Sequence, residues 1–356
     1  MSYTNLQRFH GIDFCRAVFM ILGLFYHAGL IYGADKNWNV ISDETSSYLN
    51  FFTDIIHQFR MEAFYVIAGF FYILVFSKSR DNFLKDRVLR AFVPLVFCGI
   101  ILNSFMNYHS YNLDFSNGFV YVLRGEWLGH LWFLGNLILY FLFTFPLCKL
   151  ILRSKTIKTT GLLLGFYFIT PTIAILGLGL AKVITIDSLV VFFSYNMLLY
   201  YYAYFLLGCY CYKNLHAFLS ILNFKFFLLS LTTFSLLSLI IYMDVFSNEL
   251  TVKLLVKLSK GSLVLSMMAL VYLLGRKDSM LIRRFSNSSY TIYILHQPLI
   301  VLLYVLIFNN THMGALVEYF LLIFLVFNIS YFFHVYVVKN NQIFLFLFNG
   351  VTFRSK

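Results

Sequence analysis

The chain has 356 residues, 60% of them hydrophobic and only 12% charged, with a mean hydropathy of +0.79. A soluble fold of this length needs about twice that charge to cover its surface, so the composition excludes a soluble globular protein and defines a polytopic membrane chain. The formal net charge of +12 comes with no nucleic-acid recognition motif. In a membrane protein such an excess belongs to basic cytoplasmic loops, and no nucleic-acid partner is expected.

Residues 1–11 are polar, and no small-residue cleavage site follows the first apolar run, so no cleavable signal is read. Stretches of about 20 apolar residues predict ten transmembrane helices: 12–32, 57–76, 89–107, 131–150, 161–181, 189–212, 224–243, 254–274, 289–308 and 316–338. The expected fold class is therefore all-α, one polytopic membrane domain over 1–356, with 338–356 as an interfacial tail.

The first span, IDFCRAVFMILGLFYHAGLIY, carries Asp13, Arg16 and His27. Ionisable groups inside a span are costly and mark candidate functional sites. Eleven residues separate Arg16 from His27. That is three helical turns within roughly 20°, and about 16 Å of rise, so both lie on one stripe. His27 is either a general base, suited to neutral pH, or a packing histidine bonded to a neighbouring carbonyl. Arg16 is either an ion pair with Asp13, three residues earlier on the same face, or a clamp for phosphate or carboxylate.

The second span opens on His57, Arg60 and Glu62. Arg60 and Glu62 cannot face one another at a separation of two residues, and each is a candidate for orienting His27 or holding substrate. Ala68 and Gly69 follow, small enough for close helix approach. Arg87 and Arg90 at the start of the third span form, with Arg16, either a basic mouth for a nucleotide-like anion or a plain basic loop. GHLWFLGN places His130 and Trp132 at the start of the fourth span, where Trp132 also fits an interfacial aromatic belt. YTIYILHQPLI places Tyr290 at the start of the ninth and His296 about two turns in. The five cysteines lack CxxC spacing and read as packing residues rather than a disulfide frame or metal site. No metal site is expected.

Nineteen of the 27 Lys and Arg fall in segments on the N-terminal side of these spans. Five fall opposite: Lys36, Arg124, Lys182, Lys253 and Lys257. This bias predicts both termini cytoplasmic. Asp13, Arg16, Arg87, Arg90 and Tyr290 then lie toward the cytoplasm, and His27, His57, Arg60, Glu62, His130 and Trp132 toward the outside.

DFCRAVFMILGLFYH (13–27), FRMEAFYVIAGFF (59–71), HLWFL (130–134) and YTIYILHQPLI (290–300), in that order in a ten-span chain, resemble the acyltransferase 3 family of integral-membrane acyltransferases. The FRM…AGFF form looks closest to the branch that succinylates periplasmic glucans. The resemblance implies transfer of an acetyl or succinyl group from cytoplasmic acyl-CoA to a hydroxyl of an extracytoplasmic glycan or glycolipid. Acyl-CoA would be a co-substrate, and no cofactor would be permanently bound. It implies His27 as the essential histidine, with Arg16 as its motif partner and the CoA clamp beside Arg87 and Arg90. Arg60 matches the arginine before the second-span glycine, and Ala68 replaces the family's usual small polar residue there. His130 and Tyr290 are candidate oxyanion donors. Arg60, Glu62, His130, Trp132, Tyr290 and His296 are the candidate substrate contacts.

The expected function is a multi-pass O-acyltransferase of the bacterial inner membrane. The alternatives are a transporter or flippase for a polar substrate, which intramembrane Arg and His serve equally well, and a non-catalytic membrane subunit.

Overall fold

The computed structural model describes residues 9–36, 38, 40–78, 81–111, 121, 125–173, 176 and 195–352. Among them the chain is helical, with no strand and one isolated bridge between Gly33 and Ser46. Apart from two short helices, Cys148–Arg153 and Leu215–Ile221, the helices are α1 (His10–Tyr32), α2 (Ser47–Lys78), α3 (Phe83–Asn107), α4 (Glu126–Thr144), α5 (Thr159–Ile173) and α6 (Tyr195–Lys213). They continue with α7 (Phe224–Tyr242), α8 (Glu249–Gly275), α9 (Met280–Phe308), α10 (Ala315–Val338) and α11 (Gln342–Asn349).

Eight of these, α1 to α4 and α7 to α10, are long and apolar enough to cross a membrane. The remaining two expected spans, 161–181 and 189–212, correspond to α5 and α6. The end of the first and the start of the second lie outside the described residues. Helix α2 starts ten residues before the expected 57. The reason is legible in SYLNFFTDII: Leu49, Thr53 and Ile56 recur at helical spacing and are buried, with no Gly or Pro to stop the helix. Helix α8 likewise begins at Glu249, five residues before the expected 254, which brings Lys253 within the helix.

Helix α2 is the central element, packed against α1, α6 and α8, while α9 lies between α1 and α10. The α2–α6 crossing is backbone on backbone. A Cβ at Gly69 would sit 1.9 Å from the Phe205 carbonyl oxygen, and one at Gly208 would sit 1.9 Å from that of Val66. The small residue expected at Gly69 therefore does serve close approach, as in membrane helix pairs generally. Gly208→Ala must part these helices. We expect it to lower thermal stability in detergent by about 1–3 kcal/mol, the usual cost of forcing extra atoms into a packed core; an unchanged unfolding temperature would contradict the close crossing.

All five cysteines are buried and free. The segment expected as an interfacial tail forms α11, which docks on α3 and α10. Phe348 is buried, its ring 5.7 Å from Phe97 and 5.3 Å from Phe333. Gly350 follows at φ +59°, where a Cβ would meet the Leu89 carbonyl oxygen at 2.2 Å. The end of the chain thus bears directly on the helix that carries Arg87 and Arg90.

Candidate active site

Three histidines from α1, α4 and α9 converge. The ring centres of His27 and His296 are 5.2 Å apart, those of His130 and His296 4.9 Å, and those of His27 and His130 6.4 Å. Their environment follows from local sequence. Pro298 has no N–H, so Ile294, four residues earlier on α9, loses the helical donor to its carbonyl. His130 Nε2 fills that vacancy by donating to Ile294 O at 3.1 Å. Tyr293 donates its hydroxyl to the His130 carbonyl at 2.5 Å, and His296 Nδ1 donates to the Tyr293 carbonyl.

These bonds fix the tautomers. A nitrogen that donates to a carbonyl carries the proton, so the other ring nitrogen carries a lone pair. His130 Nδ1 and His296 Nε2 are those lone pairs, and both are buried without a hydrogen-bond partner, as is His27 Nδ1. Chemically the cluster holds one unanchored imidazole beside two oriented acceptors. Trp38, from the α1–α2 connection, covers His27 at 5.8 Å between ring centres, and His57 stacks on Tyr26 at 5.3 Å.

His130 is aimed by an unusual backbone. Gly129 has φ +46° and ψ −131°, a region closed to other residues, and it breaks the start of α4. A Cβ there would also meet Asn103 Nδ2 at 2.9 Å. Asn103 in turn donates to the carbonyls of Trp127 and Leu128 at 3.0 and 2.8 Å. We expect Gly129→Ala to cost about 1–3 kcal/mol through backbone strain and to re-aim His130. A fully stable variant with unaltered function would show that the turn does not position the histidine.

Three turns from His27 toward the other end of α1, a cavity of about 440 Å³ opens between α1, α2, α3, α4 and α9. Its rim is basic: Arg16, Arg87, Arg90 and Lys339 all line it. The Ser286, Asn287 and Ser289 side chains add polar groups, and Leu345, Asn349 and Val351 close it from the C-terminal side. Arg16 makes the ion pair that one reading of its sequence gives and also lines the cavity. It pairs with Asp13 at 2.7 Å, yet its side chain remains 38% exposed and faces the cavity, with its guanidinium 5.2 Å over the Phe71 ring. The inner wall is apolar, with Met20, Phe64, Ala68 and Phe133. Phe64 and Phe133 meet edge to face at 5.2 Å, and Phe133 meets Tyr293 at 4.6 Å. This thin aromatic layer is what separates the basic cavity from the histidines.

The expected residues fall into three groups, with Trp132 apart from them. Arg16, Arg87, Arg90 and Tyr290 line the basic cavity, and His27, His130 and His296 form the cluster. Tyr290 therefore does not stand among the histidines as an oxyanion donor. It donates its hydroxyl to the Arg90 carbonyl at 2.7 Å and ties α9 to the arginine-bearing helix. Trp132 lies apart, packed on Tyr201 at 5.9 Å. Arg60 and Glu62 occupy the flank of the cluster: Arg60 lies over Tyr26, and Glu62 is buried against Lys260 at 2.7 Å and Tyr200 at 3.0 Å. Sequence reasoning passed over Trp38, Tyr293, Lys260 and the serines of α9. For Lys260, its place within an otherwise apolar span was the available signal. Among the described residues, no group of three or more His, Cys, Asp or Glu side chains is arranged to hold a metal ion.

The described residues thus form a helical bundle that carries a basic cavity and a histidine cluster at two levels of one helix. The chain belongs to the acyltransferase domain family, whose model matches residues 9–335. Among curated proteins it is similar to the glucans biosynthesis protein C of Escherichia coli (strain K12) and that of Shigella dysenteriae serotype 1 (strain Sd197). Each is 39% identical over 97 residues, covering 27% of this chain and 25% of the relative. The matched stretch thus spans about a quarter of those relatives' length. No solved structure matches the chain.

Proposed function

We propose that the protein is a membrane O-acyltransferase that takes an acetyl or succinyl group from acyl-CoA on the cytoplasmic side and transfers it to a saccharide hydroxyl on the other. The observation that carries this reading is the placement of a basic cavity and a histidine cluster about three turns apart on α1, with the Phe64, Phe133 and Tyr293 rings between them. The arginines of the mouth would hold the phosphates of CoA, for which planar guanidinium groups are suited. The apolar wall would receive the pantetheine arm, whose reach is comparable to the ~16 Å rise between Arg16 and His27. The thioester would arrive at the aromatic layer.

His27 is the general base of this scheme. Its unanchored ring can take the proton of an acceptor hydroxyl as that oxygen attacks the thioester carbonyl. The carbon–sulfur bond then breaks, and the proton returns to the CoA thiolate. His296 Nε2, a lone pair in a ring 5.2 Å from His27, can accept a hydrogen bond from the imidazolium while it exists. The basic bias of the loops supports both termini in the cytoplasm, and the likeness to proteins of Escherichia coli and Shigella dysenteriae supports a bacterial membrane, here taken as the inner one. The name glucans biosynthesis protein C supports a glucan as acceptor class.

The test is release of free CoA from acetyl-CoA and succinyl-CoA by the purified chain, measured with and without a glucose oligosaccharide. The proposal expects saccharide-dependent release with acylated saccharide as co-product. Absence of turnover together with saccharide counterflow in vesicles would establish the transporter reading instead.

A further inference from the structure

The acyl transfer just described leaves a group of cations unused beside the histidines. Arg60 is only 7% exposed, and its Nε is buried without a hydrogen-bond partner. Its guanidinium lies 5.0 Å over the Tyr26 ring. The absence of a side chain at Gly23 lets it approach the cluster: a Cβ there would stand 2.6 Å from Arg60 Nη1 and 3.4 Å from His296 Nε2. Those two nitrogens are therefore no more than about 6 Å apart.

Lys257 and Lys260 on α8 extend the same flank, their Nζ atoms 4.8 and 5.6 Å from the centre of the Tyr200 ring. Of the nearby carboxylates, Glu62 is bound through Oε1 by Lys260 and Tyr200 while its Oε2 has no hydrogen-bond partner, and Asp54 is bound by Lys36. One carboxylate therefore faces three cations on this flank. Arg60 and Lys257 have no carboxylate partner among the described residues. An uncompensated cation inside a membrane bundle is costly, and such a group is retained where a ligand supplies the opposite charge. The guanidinium fork fits the two oxygens of a carboxylate or phosphate.

We infer that Arg60, with Lys257 and Lys260 behind it, forms an oxyanion subsite next to the histidine cluster, binding a carboxylate or phosphate carried by one of the two reactants. The inference rests on the acyltransferase reading above. The anion has two possible sources with the same chemistry: the far end of the acyl group, or the saccharide acceptor. The short distance from Arg60 to His296 fits a four-carbon acyl chain whose thioester carbonyl lies at the histidines.

The experiment compares two matched pairs on the purified full chain. Succinyl-CoA and butyryl-CoA have acyl groups of equal carbon number and differ in a terminal carboxylate. Glucose 6-phosphate and glucose, offered with acetyl-CoA, differ in a phosphate on the acceptor. An anion on the donor predicts at least tenfold tighter binding of succinyl-CoA, with the ratio falling toward one in Arg60→Gln. An anion on the acceptor predicts donors that bind alike and a KM at least tenfold lower for glucose 6-phosphate, the advantage shrinking in Arg60→Gln and in the partly exposed Lys257→Gln. Ratios near one for both pairs in the unaltered protein, with acyl-CoA still binding, would overturn the subsite and leave the acyltransferase reading intact. Failure to bind any acyl-CoA would overturn that reading and the subsite with it. Because the decisive comparison uses the unaltered chain, a poorly folded variant does not obscure the outcome.

Discussion

His27→Ala is expected to reduce acyl transfer by roughly 10²–10⁴-fold, the usual contribution of a positioned general base. Affinity for acyl-CoA should stay nearly constant, because the donor's phosphates are assigned to the far end of α1. The reason for singling out this histidine lies in its two neighbours. His130 Nε2 and His296 Nδ1 each donate to a backbone carbonyl, and those bonds hold the rings in place. His27 makes no such bond, so its ring can take a proton and pass it on. The check is the rate of CoA release at saturating donor, with folding confirmed by the unfolding temperature. Activity within tenfold of the unaltered protein would remove His27 as the base and turn attention to His296 Nε2.

The second large effect is at the mouth. Arg16→Ala and Arg90→Ala are each expected to weaken acyl-CoA binding by about 10–100-fold, since a charge-assisted hydrogen bond to phosphate contributes about 1.5–3 kcal/mol. Arg16 should give the cleaner result of the two. Its partner Asp13 sits three residues away on the same helix, so the ion pair is local and its loss leaves the packing of α1 against α9 unchanged. The loss should be greater at low salt, because screening already weakens the interaction at high salt. Thermal unfolding with and without CoA reads it directly, since a ligand that binds only the folded protein raises the transition. Equal stabilisation of the Arg16→Ala and unaltered proteins by CoA would rule out the clamp. It would also leave the basic rim as an ordinary loop charge.

Much of this arrangement was legible along single helices. The Arg16–His27 stripe follows from helical periodicity alone, and Arg87 and Arg90 announced themselves as cations at the start of an apolar run. The gathering of Arg16, Arg87 and Arg90 around one cavity was anticipated because charge bias puts them at one depth. What one chain cannot disclose is which helices touch. The meeting of His130 and His296 depends on the packing of α4 against α9, and no local pattern fixes that. A partial signal was present in HQP, because a proline always frees the carbonyl four residues before it and that carbonyl then needs a new donor. Tyr290 stands at the depth expected of it, but its bond to the Arg90 carbonyl was not legible because its direction was not known. Lys260 was passed over because hydropathy averages its charge into an otherwise strongly apolar span. The backbone break at Gly129 left no trace beyond the glycine itself.

The central claim is that donor and acceptor meet from opposite sides of one membrane. Sealed right-side-out vesicles containing the protein, loaded with radiolabelled acetyl-CoA or succinyl-CoA and bathed in an impermeant glucose oligosaccharide, test it in a single step. The expected result is labelled saccharide outside the vesicles while the acyl-CoA remains enclosed, with labelling at subsaturating donor reduced in Arg16→Ala and reduced at least a hundredfold in His27→Ala. Labelling that occurs only when donor and saccharide share a compartment would contradict transfer through the bundle.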